Sequence, residues 1–410
     1  MRNKIIHLIC LIGLVFCASA CHHHDDDDPA APNSRTVLIY IAGENSLSSF
    51  INKDIAEIEE GVKKINPKTD HLLIYIDDHS QPRLIHMSTD KKGNATQDVI
   101  ETYTEHNSVD PTIMRQIIDQ AFKAYPAGSY GIVFWSHGEA WIPAPATRSE
   151  KKILATNEQK LEWWGSDTMS NSYMNITDMA NALKSTKHLA FLFFDACYML
   201  NIETAYELRN VGDYLVSCPT EIPGPGAPYQ DVVPALFDKT ENVGKSIANA
   251  YYTYYKALYN NGIRISNDNW TGGVSMGTIK LNELENLAAQ TAKIISANIK
   301  DGEVIDYSDI FCYDNRKPNL YYHDFKEFME KLTNRNGDYT TWKSAFDKAM
   351  IYWVTTPANY SSSIKSMFDI DSNAGGLPIY IPRQFQEQEI KNYFHTLAWY
   401  SAAGWNKTGW

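Results

Sequence analysis

Two apolar runs in this sequence of 410 residues end in side chains able to do covalent chemistry. "YGIVFWSHG" (130–138) closes on His137 and Gly138, and "AFLFFDACYML" (190–200) breaks at Asp195, Ala196 and Cys197. The thiolate is the nucleophilic form of cysteine, and a free thiol has a pKa of about 8.5, so Cys197 needs a base beside it. His137 is that base if the two runs are neighbouring strands. Gly138 lets a substrate carbonyl come close to the backbone, and its N–H together with that of Cys197 could form an oxyanion hole. A single strand-end cysteine is most often a small buried hydrophobe, and a histidine before glycine is often only a turn residue. Their pairing at the ends of two all-apolar runs is what points to chemistry. Cys218 has no flanking acid or matching histidine motif, and Cys312 lies in the polar "SDIFCYDN", so both read as structural.

The elements that must position this pair follow from hydrophobic periodicity. Strands are expected in "TVLIYIAG" (36–43), "HLLIYID" (71–77), "RLIHMS" (83–88), the two runs above, and "DYLVSC" (213–218). Helices are expected over 47–60, over 112–125 behind an Asp110-Pro111 start signal, and over 175–185 and 199–210. Strands alternating with helices, several of them apolar throughout, imply an α/β fold with a parallel sheet covered on both faces. Such sheets carry their ligand sites at the C-terminal ends of the strands, where His137 and Cys197 would both lie. Beyond residue 240, helices near 241–260, 281–299, 322–333 and 340–354 are expected, with strands in "GGVSMGTIKL" and "GGLPIYIP". The domain reading is an α/β core over 35–240 and a helix-rich part over 241–410 that contributes strands back to the fold.

"MRNKIIHLICLIGLVFCASAC" has basic Arg2 and Lys4, an apolar stretch Ile5–Phe16, and small Ala18 and Ala20 before Cys21, the pattern of a secretory signal over 1–20. "ASAC" resembles a bacterial lipobox, which makes Cys21 the lipidation site and residues 21–34, with "HHHDDDD", an acidic tether. The expected location is extracytoplasmic, anchored to the bacterial outer membrane by that lipid alone and exposed at the cell surface. Only Cys197, Cys218 and Cys312 then remain, an odd number that makes no disulfide framework. No Cys/His spacing suits zinc. The net charge of −12, with no Lys/Arg-rich run, argues against nucleic acid as a partner and favours cationic substrates. The expected oligomeric state is a monomer.

"FWSHGEAW", "FFDACYMLNIETAYELR", "VSCPTEIPGPGAPY" and "GGLPIYIP" together resemble the clostripain family of cysteine peptidases, which shares its fold with caspases, gingipains and legumains. The resemblance implies a caspase-like three-layer αβα sandwich and cleavage of proteins or peptides by a dyad of Cys197 and His137. It implies that Asp195 sits in the S1 pocket and pairs with a substrate Arg or Lys; the alternative for Asp195 is a cap on the next helix. Glu221 is a second candidate for that pocket. Self-cleavage between the His and Cys segments is implied as well, and Arg148, Lys151 and Lys152 are placed for it. Glu139 stands where the family typically has glycine. Clostripain itself uses calcium; no Asp-x-Asp-x-Asp-Gly loop occurs here, so calcium stays possible without a motif behind it, and no metal-ligand set or other cofactor is expected. A catalytically silent relative that captures peptides or glycans is the rival reading, and retention of His137, Cys197 and Asp195 together argues against it.

Overall fold

The computed structural model of the protein describes residues 31–143, 164–266, 269–300, 303–314, 320–384 and 387–410. In chain order its elements are β1 (Arg35–Ala42), α1 (Ile51–Val62), β2 (Asp70–Asp77), β3 (Arg83–Thr89), β4 (Ala95–Thr102), α2 (Pro111–Ala124) and β5 (Ser129–Trp135). A hairpin of β6 (Trp164–Asp167) and β7 (Ser172–Met174) leads to α3 (Ile176–Leu183), β8 (Leu189–Asp195), α4 (Ile202–Leu208) and β9 (Gly212–Ser217). Then come α5 (Tyr229–Leu236), α6 (Val243–Leu258), β10 (Ser275–Lys280), α7 (Leu284–Asn298), β11 (His323–Asp324), α8 (Phe325–Thr333), α9 (Gly337–Ala349) and β12 (Met350–Thr355).

Nine strands form one sheet in the order β12-β10-β9-β8-β5-β1-β2-β3-β4. The five from β9 to β2 run parallel, and the strands outside them are antiparallel to their neighbours. Alternation along each buried strand feeds two cores. Leu38, Tyr40, Leu192 and Phe194 face the layer of α2, α3, α4, α7, α8 and α9, while Val37, Ile39, Phe191 and Phe193 face α1, α5 and α6. This is the caspase-like, mostly parallel α/β arrangement.

Local chemistry explains where elements differ from the sequence expectation. The helix expected over 340–354 stops at Ala349, and Met350–Thr355 instead pairs antiparallel with β10. Its Ile, Tyr, Trp, Val and Thr suit a pleated edge, and the sheet's open ladder outweighs helical continuity. The helix expected from 199 begins only at Ile202, because Tyr198 has a positive φ of 61° and Asn201 supplies the cap. "GGLPIYIP" contributes only Pro378–Ile379, paired with β11 outside the main sheet.

Candidate functional site

β5 and β8 are adjacent and parallel, with Trp135 opposite Asp195. His137 and Cys197, each two residues beyond that row, therefore leave the same sheet edge side by side. Gly138 shows how closely the two segments approach: a Cβ there would lie 2.7 Å from the Cys197 carbonyl oxygen and 3.0 Å from the Ala196 Cβ. Immediately after Cys197 the chain turns sharply through Tyr198, whose left-handed backbone costs a non-glycine residue on the order of 1–2 kcal/mol. The surroundings over-determine that turn. Tyr198 N–H donates to the Thr220 carbonyl at 2.9 Å, Leu200 N–H donates to the Cys218 carbonyl at 3.0 Å, and the Tyr198 ring stacks on Tyr322 with centroids 5.1 Å apart. The Cys197 sulfur accepts the Ile222 N–H at 3.4 Å.

His137 is held from two directions. Its carbonyl accepts the Gly165 N–H at 2.9 Å, and its Nε2 lies 2.9 Å from the hydroxyl of Ser46. Ser46 belongs to the turn after β1, which Asn45 pins: its Nδ2 is 2.9 Å from the Ala42 carbonyl, 3.2 Å from Ser136 Oγ and 3.0 Å from the Ser166 carbonyl. β6 therefore grips both the histidine and the turn beside it. Nothing in the sequence singled out Asn45 or Ser46, since "GENSLS" after an apolar strand looks like any polar loop.

Asp195 is almost fully buried, at 2 % exposure. Its Oδ2 accepts the Ala227 N–H and the Tyr229 hydroxyl, both at 2.9 Å, and its Oδ1 is buried without a hydrogen-bond partner. Gly226 packs so tightly over the carboxyl that a Cβ would sit 2.7 Å from Oδ2, and its φ of +70° also favours glycine. Burial, partly offset by those two hydrogen bonds, pushes the Asp195 carboxyl up to about 7. The cap of α4 is Asn201, whose side chain accepts the Thr204 N–H at 2.8 Å, so Asp195 does not fill that role. One segment, 218–229, touches both residues: Ile222 at Cys197, and Ala227 and Tyr229 at Asp195. Glu221, in the same segment, accepts from the Ser361 hydroxyl at 2.5 Å, the Ser362 N–H at 2.7 Å and the Tyr198 hydroxyl at 3.2 Å, which commits its carboxylate to fastening that turn. Glu139 is buried, and its carbonyl and Oε2 receive the Tyr322 hydroxyl at 2.9 and 3.2 Å.

Behind Asp195 lies a carboxyl that sequence reading missed. Asp54, on α1, is fully buried, and the Trp135 side chain is a donor beside its oxygens, which make no well-formed hydrogen bond. Burial first, and the charge of Asp195 second, push it up to about 9. The folded-state value lies above the unfolded one of 3.8, so folding favours the protonated form. The stability this provides is complete below about pH 4 and is lost as pH climbs toward about 9, at about 1.4 kcal/mol per pH unit. Asp54→Asn removes this loss. Thermal melts at pH 5 and pH 8 should show the variant gaining on wild type at the higher pH, and an equal gap at both would count against the assignment.

Arg148, Lys151, Lys152 and Cys21 lie outside the described residues. Among the described residues no helix is long and apolar enough to cross a membrane.

Comparison with known proteins completes the picture. The sequence profile of the Clostripain family, peptidase family C11, matches residues 39–410. Clostripain of Hathewaya histolytica is 25% identical over 222 residues, covering 48% of this chain and 41% of that protein, so the chain matches less than half the length of this relative. Among solved structures, a secreted C11 cysteine protease from Bacteroides thetaiotaomicron, in complex with an irreversible peptide inhibitor, is 42% identical with a TM-score of 0.82, covering 91% of this chain and 99% of that one. An inactive zymogen C11 protease from Parabacteroides distasonis is 31% identical with a TM-score of 0.74, covering 92% and 99%. A B. fragilis cysteine protease is 48% identical with a TM-score of 0.58, covering 60% and 99%.

Proposed function

The chain belongs to the clostripain family, and from that membership we propose that it is a cysteine endopeptidase cutting after Arg or Lys, with Cys197 as nucleophile and His137 as its base. The observation that carries this reading is the register of β5 against β8, which brings the two residues off one sheet edge together. His137 takes the proton from the Cys197 thiol, the thiolate attacks the substrate carbonyl, and the imidazolium returns the proton to the leaving amine. Water then hydrolyses the acyl-enzyme with His137 again as base. The N–H groups of Gly138 and Cys197 receive the developing oxyanion, and each such donor is typically worth about 10²–10³ in rate.

Asp195 supplies the selectivity. Its Oδ1 is an acceptor without a partner, and a P1 guanidinium or ammonium would complete it with a charge-assisted hydrogen bond. Activation by self-cleavage at Arg148, Lys151 or Lys152 fits the same reading. These residues lie in the stretch that runs into β6, and β6 is bonded to His137 through Gly165 and to Asn45 through Ser166. The natural substrates are proteins or peptides outside the cytoplasm, reached by a chain exported through its signal and tethered by a lipid on Cys21.

Incubating the secreted chain with fluorogenic peptides carrying Arg, Lys, Asp, Asn or Leu at P1 tests the proposal. Turnover should be confined to Arg and Lys and absent in Cys197→Ala. On a denaturing gel, wild type should show two fragments and Cys197→Ala one intact band. Cleavage after Asp or Asn would overturn the role of Asp195, and a single band for both proteins would overturn self-cleavage.

A further inference from the structure

The hydroxyl of Ser46 is aimed at His137 by residues on either side of the pair. Asn45 fixes the chain around Ser46: beyond the three bonds of its Nδ2, its Oδ1 accepts the Leu47 N–H at 2.9 Å and its own N–H donates to the Gly43 carbonyl at 2.8 Å. Ser136, the residue before the histidine, belongs to the same lattice. Its hydroxyl donates to the Ala42 carbonyl at 2.8 Å and accepts the Ser166 N–H at 3.3 Å. Asn45 and Ser136 are buried, whereas Ser46 is exposed and His137 half-buried. The 2.9 Å separation of Ser46 Oγ from His137 Nε2 is therefore set by backbones locked together from behind, and the hydroxyl itself is not needed to hold the turn.

A neutral imidazole has one N–H and one lone pair, and the partner of one nitrogen decides which of these the other carries. With Nε2 committed to Ser46, Nδ1 is the nitrogen left to serve the thiol. If the serine hydroxyl donated to Nε2, the ring hydrogen would sit on Nδ1, where no further proton could then be taken. If the serine oxygen accepts from Nε2, Nδ1 keeps its lone pair. The same bond then survives in the imidazolium, whose two nitrogens both donate. The exposure of Ser46 lets its own hydrogen turn to water.

We propose that Ser46 is a positioning residue for the base: its oxygen accepts the Nε2 hydrogen throughout the reaction and so keeps Nδ1 as the nitrogen that takes the thiol proton. In acylation the S–H bond of Cys197 breaks, its electron pair stays on sulfur, and an N–H bond forms at Nδ1. That hydrogen passes from Nδ1 to the leaving amine as the peptide C–N bond breaks, and the Nε2 hydrogen never moves. The effect on turnover rests on the Cys197–His137 pair proposed above; the position of the ring hydrogen does not.

Two measurements test this, one of them without reference to activity. In a Cys197→Ala chain with isotope-labelled histidine nitrogens, with His137→Gln identifying the signals, the neutral His137 ring should carry its hydrogen on Nε2. Adding Ser46→Ala should raise the share of the Nδ1–H form. In the active chain, with rates counted per titrated thiol, Ser46→Ala should lower kcat for Arg substrates by about 10-fold to 100-fold, the scale of a hydrogen bond to a charged group, and leave KM within about threefold. Ser46→Thr keeps the hydroxyl and should restore most of kcat. A hydrogen on Nδ1 in the chain that retains Ser46 would overturn the proposal. So would a spectrum and kcat that Ser46→Ala leaves unchanged, or a loss that threonine fails to restore. A wild type that cleaves no peptide strikes instead at the peptidase reading, and the spectrum still decides the tautomer.

Discussion

Asp195→Asn is expected to lower kcat/KM for Arg and Lys substrates by roughly 30-fold to 5000-fold, and to change turnover of a Leu substrate by much less. Truncating one partner of a buried, hydrogen-bonded charge pair costs about 2–5 kcal/mol, most of it from leaving the other charge buried and unpaired. The substitution is gentle on the fold, since an Asn oxygen still accepts the Ala227 N–H and the Tyr229 hydroxyl. A pH signature accompanies the loss. Because burial pushes the Asp195 carboxyl up to about 7, the free enzyme carries it half protonated near neutrality. A cationic P1 group needs the carboxylate, so specificity for Arg falls as pH drops from about 8 to about 6. Any pH effect common to every substrate cancels in the ratio of Arg to Leu kcat/KM. That ratio should decline toward acid pH in wild type and stay flat in Asp195→Asn. A wild-type ratio that is flat, with no drop in the variant, would remove Asp195 from substrate recognition.

The parts of the molecule legible in sequence are those whose physics is local. Buried parallel strands such as "LLIYI" and "FLFF" announce themselves as continuous apolar runs, and their abrupt polar ends marked His137, Asp195 and Cys197. β4, "ATQDVIET", went unnoticed because an exposed edge strand pairs through its backbone while its side chains remain those of a loop. α5 was hidden by its own Pro234, although a chain segment that packs Tyr229, Val232, Val233 and Leu236 into the core tolerates it. The turn at Tyr198 carries no glycine to announce a positive φ; contacts from Thr220 and Tyr322, distant in sequence, impose it. Asn45, Ser46 and Asp54 share that problem. Each is an ordinary polar residue until the parallel register places it against Ser136, His137 or Asp195. β8 ends at Asp195, so strand alternation does not extend to Cys197. The two are brought to one site by segment 218–229 that covers both.

The complementary prediction separates positioning of the nucleophile from recognition. Gly138→Ala should lower kcat by about 10²-fold or more while leaving KM for Arg substrates within a few-fold of wild type. The added Cβ would lie 2.7 Å from the Cys197 carbonyl oxygen, 3.0 Å from the Ala196 Cβ and 3.1 Å from the Met199 Cγ. All three neighbours belong to the turn that carries Cys197, and that turn cannot yield cheaply. Tyr198 is held in its left-handed conformation by the Thr220 carbonyl, and Leu200 is tied to Cys218. Relief must therefore come from moving Gly138 and Cys197 apart, which shifts the thiol away from His137 and parts the two N–H groups proposed to receive the oxyanion. A displacement of about 1 Å at such a site commonly costs about 10²-fold in rate. Asp195 is held by Ala227 and Tyr229, which the added Cβ does not touch, so the proposed pocket for a basic side chain should persist. Alkylation of Cys197 by iodoacetamide gives an independent reading, because a thiol parted from its base reacts more slowly at neutral pH. Wild-type kcat with unchanged alkylation in Gly138→Ala would mean that the close approach of the two loops has no part in the chemistry.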